Sequence, residues 1–388
     1  MFFFLSVKVA NIQVFLKKNV KKNNLSFINI LYLCTLKISG KMSDKLLQIS
    51  GSPHVHGEQS VKKIMWSVVI ALLPAFLVSV YYFGIPVIIL TLISVGCCML
   101  FEWLIERFLM KQESTLMDGS AVITGLLVAF NVPANLPIWM LIVGDLVAIG
   151  IAKMAFGGLG KNLFNPAITA RVFLLISFPT AMTSWPAPRQ GAKAFADAVT
   201  GPTPLGVLKE GVKAGQPVDS LLNSAHQVPL VNASDSIVGY TPMPDNVDYL
   251  FGQMGGSFGE VSAIALLLGA LFLLFRRVIT WHIPVSFLLT AFVFAGIFWL
   301  VDPTQYANPM FHLVTGGMIL GACFMATDMV TSPTSKWGMV VFGAGCGLLT
   351  MIIRLWGAYP EGVSFSILIM NALVPLIDKA FKPKRFAH

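Results

Sequence analysis

The feature that most constrains this chain is a succession of ten apolar segments, joined by short polar links and one long one. They span residues 64–83, 85–106, 119–132, 136–156, 163–180, 259–275, 283–301, 310–329, 337–356 and 363–380. Several are long enough to cross a bilayer core, which takes about 20 helical residues. Of the 388 residues, 56% are hydrophobic and only 12% charged, against the roughly 25% charge of a soluble domain. The expected class is an all-α polytopic membrane protein, with its apolar helices facing lipid.

The net charge of +9 invites a nucleic-acid reading, but the charges sit singly at segment ends and form no basic stripe interleaved with aromatics. Nucleic acid is therefore excluded as a partner, and the positive balance reads as topology. With the N-terminus in the cytoplasm, the inside links carry Lys62, Lys63, Arg107, Lys111, Lys153, Lys161, Arg276, Arg277, Lys336, Lys379, Lys382, Lys384 and Arg385. The short outside links carry Asp302 and Glu361, with Arg354 near one outer end. This bias predicts cytoplasmic termini and an extracytoplasmic interval at 181–257. That interval has four basic and six acidic residues and is rich in Pro, Gly, Ser and Asn, so it is expected to be an irregular module.

The segments divide into 64–180 and 258–380, five before the long interval and five after. SAVITGLLVAFNVP parallels MILGACFMATDMVTSP, and GGLGKNLFNPAITARVF parallels GAYPEGVSFSILIMNAL. An odd number of helices per repeat inverts the second copy, and inverted repeats with Gly/Pro-broken helices place sites near the pseudo-two-fold axis. Around this frame lie a polar tail, 42–63, and a basic tail, 381–388. Residues 1–41, rich in Phe, Lys and Asn, do not follow the order of a signal peptide. They are expected to be a mis-called start or a disordered extension, with Met42 as the working start.

Charges within the apolar spans are costly unless paired or facing a cavity. Glu102, Asp145, Arg171 and Asp328 are such residues. Asp145 and Arg171, on consecutive segments, are expected to pair, and Glu102, Asp145 and Arg171 are candidates for an ion or proton route. Asp328 lies in MATDMVTSPTS, where Thr331 and the backbone freed by Pro333 offer hydrogen bonds to a polar ring or ion. No metal site is expected. His54 and His56 have only Glu58 beside them and no thiolate, so they read as part of a solvated tail, and the five cysteines (Cys34, Cys97, Cys98, Cys323, Cys346) contain no CxxC pair. GGLGK at 157–161 lacks the spacing of a phosphate loop, and no Ser-His-Asp arrangement supports hydrolase chemistry.

The longest polar interval holds DAVTGPTPLG, residues 197–206. Alone it reads as a turn punctuated by Gly201, Pro202 and Pro204. Together with AKMAFGGLGKNLFNPAITARVFLLISFPTAMTSW and TDMVTSPTSKWGMVVFGAGCGLLTMIIRLWGAYPEGVSFSILIMNALVPLID, however, it resembles the RnfD family, the D-type component of the Rnf electron-transport complex. The resemblance runs from about Met42 to the end. It extends more distantly to the B-type component of the sodium-pumping NADH:quinone reductase, but the compact loop and ISFPTAMTSWP favour Rnf.

The resemblance implies one component of an ion-translocating oxidoreductase in the bacterial inner membrane, moving electrons between ferredoxin and NAD with coupled Na⁺ or H⁺ transport. It implies Rnf partners of the A, B, C, E and G types. It also implies FMN attached by a flavin transferase through its phosphate to Thr203, with Asp197, Thr200 and Gly201 matching the recognition residues. Pro202 stands where the family pattern has Ala. A non-covalent riboflavin in the membrane domain is a further implication, and Asp328 and Thr331 are its candidate neighbours. The alternatives are a component of a quinone reductase or a cofactor-free secondary transporter.

Overall fold

A computed structural model describes residues 60–112, 114–186, 200–201, 203–218, 220–221, 229–231, 237–240, 250–252 and 255–382. The expectations for residues 1–41, Cys34, His54, His56, Asp197 and Pro202 fall outside the described residues. Each of the ten apolar segments carries helix. In order these are α1 (Val61–Phe83), α2 (Ile85–Leu104), α3 (Ser120–Phe130), α4 (Ile138–Leu146) and α5 (Pro166–Ser177). After α6 (Pro204–Lys213) in the long interval come α7 (Ala263–Phe275) and α8 (His282–Val301). The next segment is broken into α9 (Pro309–Val314) and α10 (Met318–Leu320), and α11 (Lys336–Trp356) and α12 (Val363–Ala380) complete the set.

Six helical spans among the described residues are long and apolar enough to cross a membrane, and three more, Ser120–Phe130, Pro166–Ser177 and Ala263–Phe275, are shorter. The chain is a multi-pass membrane protein. The helical class holds, with two short ribbons added in the long interval. The long interval pairs β1 (Trp185–Pro186) with β2 (Thr200–Gly201), and β3 (Pro229–Val231) with β4 (Ile237–Tyr240), both antiparallel. Outside the bilayer, water satisfies the free edges of such ribbons, so a polar Pro/Gly-rich stretch is not restricted to helix.

Local chemistry sets the helix ends. The carboxamide of Asn165 caps α5, its Oδ1 accepting from Ala167 N at 3.0 Å, and Pro166 occupies the first turn, where its missing N–H costs nothing. Asn308 and Pro309 repeat the device at α9. Ser262 and Ser335 cap α7 and α11. Between α9 and α10 two consecutive glycines, Gly316 and Gly317, take positive φ of 66° and 62°, a conformation costly for other residues. This break turns the carbonyls of Thr315 and Gly316 away from the helix axis.

Packing relies on small residues, as in other membrane helix interfaces. A Cβ on Gly269 of α7 would lie 2.1 Å from the Ala71 carbonyl of α1, and one on Gly347 of α11 would lie 2.4 Å from the Phe287 carbonyl of α8. Gly125 of α3 similarly abuts the backbone of α2 at Ser94 and Val95. Helix α1 packs on α7, and α5 packs on α12. The outer surface displays Leu77, Leu92, Phe275, Leu289 and Leu300, the apolar shell a bilayer covers. Three stretches relax to π-helix: Ile105–Met110 after α2, Val147–Lys153 after α4, and Gly321–Met325 after α10.

Candidate functional site

Thr203 is the N-cap of α6. Its backbone is extended, and its Oγ1 accepts from the Gly206 N–H at 3.1 Å. Pro204 fills the first position of the helix, and Thr200 and Gly201 are held against Pro186 and Trp185 in the β1–β2 ribbon. A helix start presents unpaired N–H groups and a partial positive charge, a ready seat for an anion. Here Pro204 has no N–H, and the Gly206 and Val207 N–H groups are taken by Thr203 itself, which leaves the helix dipole and the Leu205 N–H beside the hydroxyl. The hydroxyl lies in a narrow cleft shared with Gly255, Gly256, Glu260, Thr315, Gly316 and Glu361.

Two attachments fix α6 to the membrane domain. Leu205 is buried beside Gly316, where a Cβ would come 2.4 Å from its Cδ1. On the opposite turn, Lys209 Nζ donates to the carbonyls of Ile353 at 2.9 Å and Tyr359 at 2.5 Å, at the C-terminal end of α11. Partial burial, and then the charges of Lys213 and Arg354, push this ammonium down to about 8.

Beneath the cleft the carboxylates are already paired. Arg171 Nη1 donates to Glu260 Oε1 at 2.6 Å and to Asn131 Oδ1 at 2.6 Å, and Nη2 pairs with Glu361. Arg354 donates to the carbonyls of His312 at 2.6 Å, Thr315 at 3.0 Å and Gly316 at 2.7 Å. One arginine thus serves two carboxylates beneath the cleft, with Arg354 close by at the Gly316 carbonyl.

A second cavity, partly open to the exterior, lies among α1, α3, α5, α7 and the bend at 327–330. Ser120, Thr124, Lys153, Asn162, Asn165 and Asp328 supply its polar lining. Asp328 Oδ2 accepts from the Thr331 hydroxyl at 3.1 Å, so the two residues meet as the sequence suggests. Thr331 itself is buried behind the lining. Asn165 Nδ2 ties α5 to the bend through Met325 O at 3.2 Å. The Asn162 Oδ1 is buried and meets no donor among the described residues. It is an acceptor free to receive a hydrogen bond from a bound polar group.

A family model described as NQR2, RnfD, RnfE matches residues 48–387. The chain belongs to this family. Among its relatives is the D component of the Na⁺-translocating ferredoxin:NAD⁺ oxidoreductase complex of Acetobacterium woodii, 41% identical over 88% of this chain and 96% of that protein. The D component of the proton-translocating ferredoxin:NAD⁺ oxidoreductase complex of Clostridium ljungdahlii is 40% identical over 89% of this chain and 98% of its own length. The D component of the ion-translocating oxidoreductase complex of Stutzerimonas stutzeri is 40% identical over 85% and 93%.

In this NQR2/RnfD/RnfE member the intramembrane charges are arranged differently from the sequence expectation. Asp145 and Arg171 do not pair. Arg171 turns instead to Glu260 and Glu361 from the two flanking links, and Asp145 meets Ser94 Oγ at 2.7 Å and Cys98 Sγ at 3.5 Å. The reason is direction: both charges are on neighbouring segments, but spacing along a sequence does not say which face of a helix each occupies. Glu102 pairs with Lys153 at 2.6 Å. Along the chain Lys153 reads as an inside charge, and Glu260 and Glu361 lie at segment ends, so nothing in their positions signals burial. Asn162 and Asn165 carry a legible signal, the Asn-Pro cap that opens α5, but nothing in it points to a cavity.

Proposed function

We propose that this chain is the flavin-carrying membrane component of an Rnf-type complex that couples electron transfer between ferredoxin and NAD to Na⁺ or H⁺ translocation. The names of its relatives support the complex. The single observation supporting the flavin is Thr203, a hydroxyl at a helix start, beside glycines, in the position of the family's acceptor. Thr203 Oγ1 would carry FMN through a phosphoester, the start of α6 would balance the phosphate charge, and Lys209 would hold α6 on the membrane domain. FMN, when bound, supplies the electron-carrying chemistry. Asp197, Thr200 and Gly201 would be read by the flavin transferase, with Pro202 beside the target.

A non-covalent riboflavin would be placed at the cavity lined by Asn162 and Asp328, with Asn162 Oδ1 and Asp328 as polar neighbours and Thr331 orienting Asp328. The partners are Rnf components of the A, B, C, E and G types. In the bacterial inner membrane the termini would be cytoplasmic and 181–257 extracytoplasmic. Two relatives of nearly equal identity bear names with different coupling ions, so similarity does not choose between Na⁺ and H⁺.

We read the membrane domain as ten crossings or half-crossings in two inverted repeats. First pairs with first (α1 on α7) and fifth with fifth (α5 on α12). Lys153, after α4, reaches Ser120 at the start of α3, and Arg354, in α11, reaches the break before α10. Of the ion-route candidates, Glu102 and Arg171 are committed to ion pairs and are assigned structural roles. The test is in-gel flavin fluorescence of the denatured chain, purified after co-expression with a flavin transferase. A fluorescent wild-type band and a dark Thr203→Val band are expected. A dark wild-type band, or fluorescence surviving in Thr203→Val, would overturn the assignment.

A further inference from the structure

Asp145 sits in the middle of the span Ile138–Phe156 and is fully buried. Among the described residues no cation pairs with it. The titratable groups beside it are Cys97 and Cys98 on α2, with Lys153 after α4 near Cys98 and Arg171 on the neighbouring α5 turned elsewhere. Lys153 is spent on Glu102 and Ser120, and Arg171 on Glu260, Glu361 and Asn131.

The hydrogen-bond distances around Asp145 bear on its charge state. Ser94 Oγ lies 2.7 Å from Asp145 Oδ1 and 2.8 Å from the Gly125 carbonyl oxygen. A carbonyl only accepts, and so does an ionised carboxylate. Ser94 has one hydroxyl hydrogen, so with an ionised Asp145 one of these two short contacts would be two acceptors face to face. A proton on Oδ1 resolves the conflict: Asp145 donates to Ser94 Oγ, which donates to Gly125 O. Oδ2 meets no donor among the described residues, which a neutral carbonyl oxygen tolerates far better than half of a buried charge. The chain of bonds is built rather than incidental. It exists because Gly125 lacks a side chain; a Cβ there would lie 2.9 Å from Ser94 O and 2.7 Å from Val95 Cα.

We propose that Asp145 is a proton-binding site inside the membrane domain, held as a neutral acid by the relay Asp145 to Ser94 to Gly125. This protonation does not depend on an attached flavin, so its failure and that of the flavin assignment are separable.

Infrared spectra of the purified complex, with aspartate isotope-labelled at the side-chain carboxyl, test it. At neutral pH the wild type minus Asp145→Asn difference should show a protonated carboxyl C=O band that shifts in D₂O. Loss of only carboxylate bands in that difference would overturn the proposal. Should Asp145→Asn fail to assemble, Ser94→Ala serves: it removes the acceptor, leaves the acid, and should move the same labelled band toward that of a free acid. A band that ignores Ser94→Ala would refute the relay. Conversion of the acid band to carboxylate by added NaCl at constant pH would make the site a cation site and equally overturn the proposal. Complex prepared without a flavin transferase should keep the band.

Discussion

The Glu102–Lys153 pair offers the sharpest test of how this membrane domain is held together. Both side chains are almost fully enclosed, at 1% and 2% exposure, and their charged atoms are 2.6 Å apart. Lys153 also donates to Ser120 Oγ at 2.8 Å, whereas Glu102 has only the Thr115 hydroxyl, at 3.3 Å, as a further partner among the described residues. Removing the lysine therefore strands a carboxylate whose one other contact is a hydroxyl already shared with Glu106. Removing the acid leaves the ammonium with a serine and, in Glu102→Gln, an amide oxygen. Breaking a buried pair from one side costs about 3–5 kcal/mol. Lys153→Met should fall within that range and Glu102→Gln below it. At about 2–4 °C per kcal/mol, Lys153→Met should lower the apparent thermal midpoint by about 10 °C. Detergent-solubilised complex, followed by size-exclusion after heating, reads this directly. The double variant Glu102→Gln with Lys153→Met removes both charges and should recover most of the loss. A double variant as unstable as the sum of the singles would refute the reasoning, since it would mean that the two charges do not stabilise each other.

Other outcomes follow from single contacts. Gly317→Ala must adopt φ near 62° and place a Cβ 2.3 Å from Glu260 Oε1, loosening Glu260 from Arg171. A loss of about 1–3 kcal/mol is expected, measured by the same thermal assay, and an unchanged midpoint would dispute the break at 316–317. Lys209 has a folded value near 8, below the ordinary 10.5, so the docked state binds fewer protons between those limits. Docking of α6 should tighten as pH rises through that window and carry the full cost of the buried charge below it. Rate-corrected amide exchange across α6 at pH values of about 7.5 and 9.5, which bracket the lower end of that window, should show this rise, and Lys209→Met should abolish it. Asn162→Ala should reduce non-covalent flavin, released on denaturation and measured by fluorescence, while leaving covalent flavin on Thr203 intact. Equal release from wild type and variant would remove Asn162 from that role.

Much of the architecture is legible in the chain because the bilayer admits few solutions. Ten apolar runs correspond to ten helical regions, Asn-Pro and Ser caps mark where α5, α7, α9 and α11 begin, and the NVPANLP and SPTS interruptions mark where helices break. Thr203 is legible too, through a motif whose local chemistry, an N-cap hydroxyl followed by proline, survives in any context. The interval around it is less so. Short ribbons such as β1–β2 join residues 185–186 to 200–201, and no periodicity in either partner announces the other.

The sequence by itself determined that this chain lives in a membrane, where its helices start and stop, and which hydroxyl could anchor a cofactor. Those properties depend on residues a few positions apart. Only the tertiary structure decided the partners of the buried charges. Arg171 chose Glu260 and Glu361, 89 and 190 residues away, over Asp145 on the preceding segment. Glu102 found Lys153, and Asp145 was left with a serine that a glycine brings to a carbonyl. Charge pairing in an apolar interior is settled by which helix faces meet, and that is fixed by glycine contacts and packing summed over the whole domain.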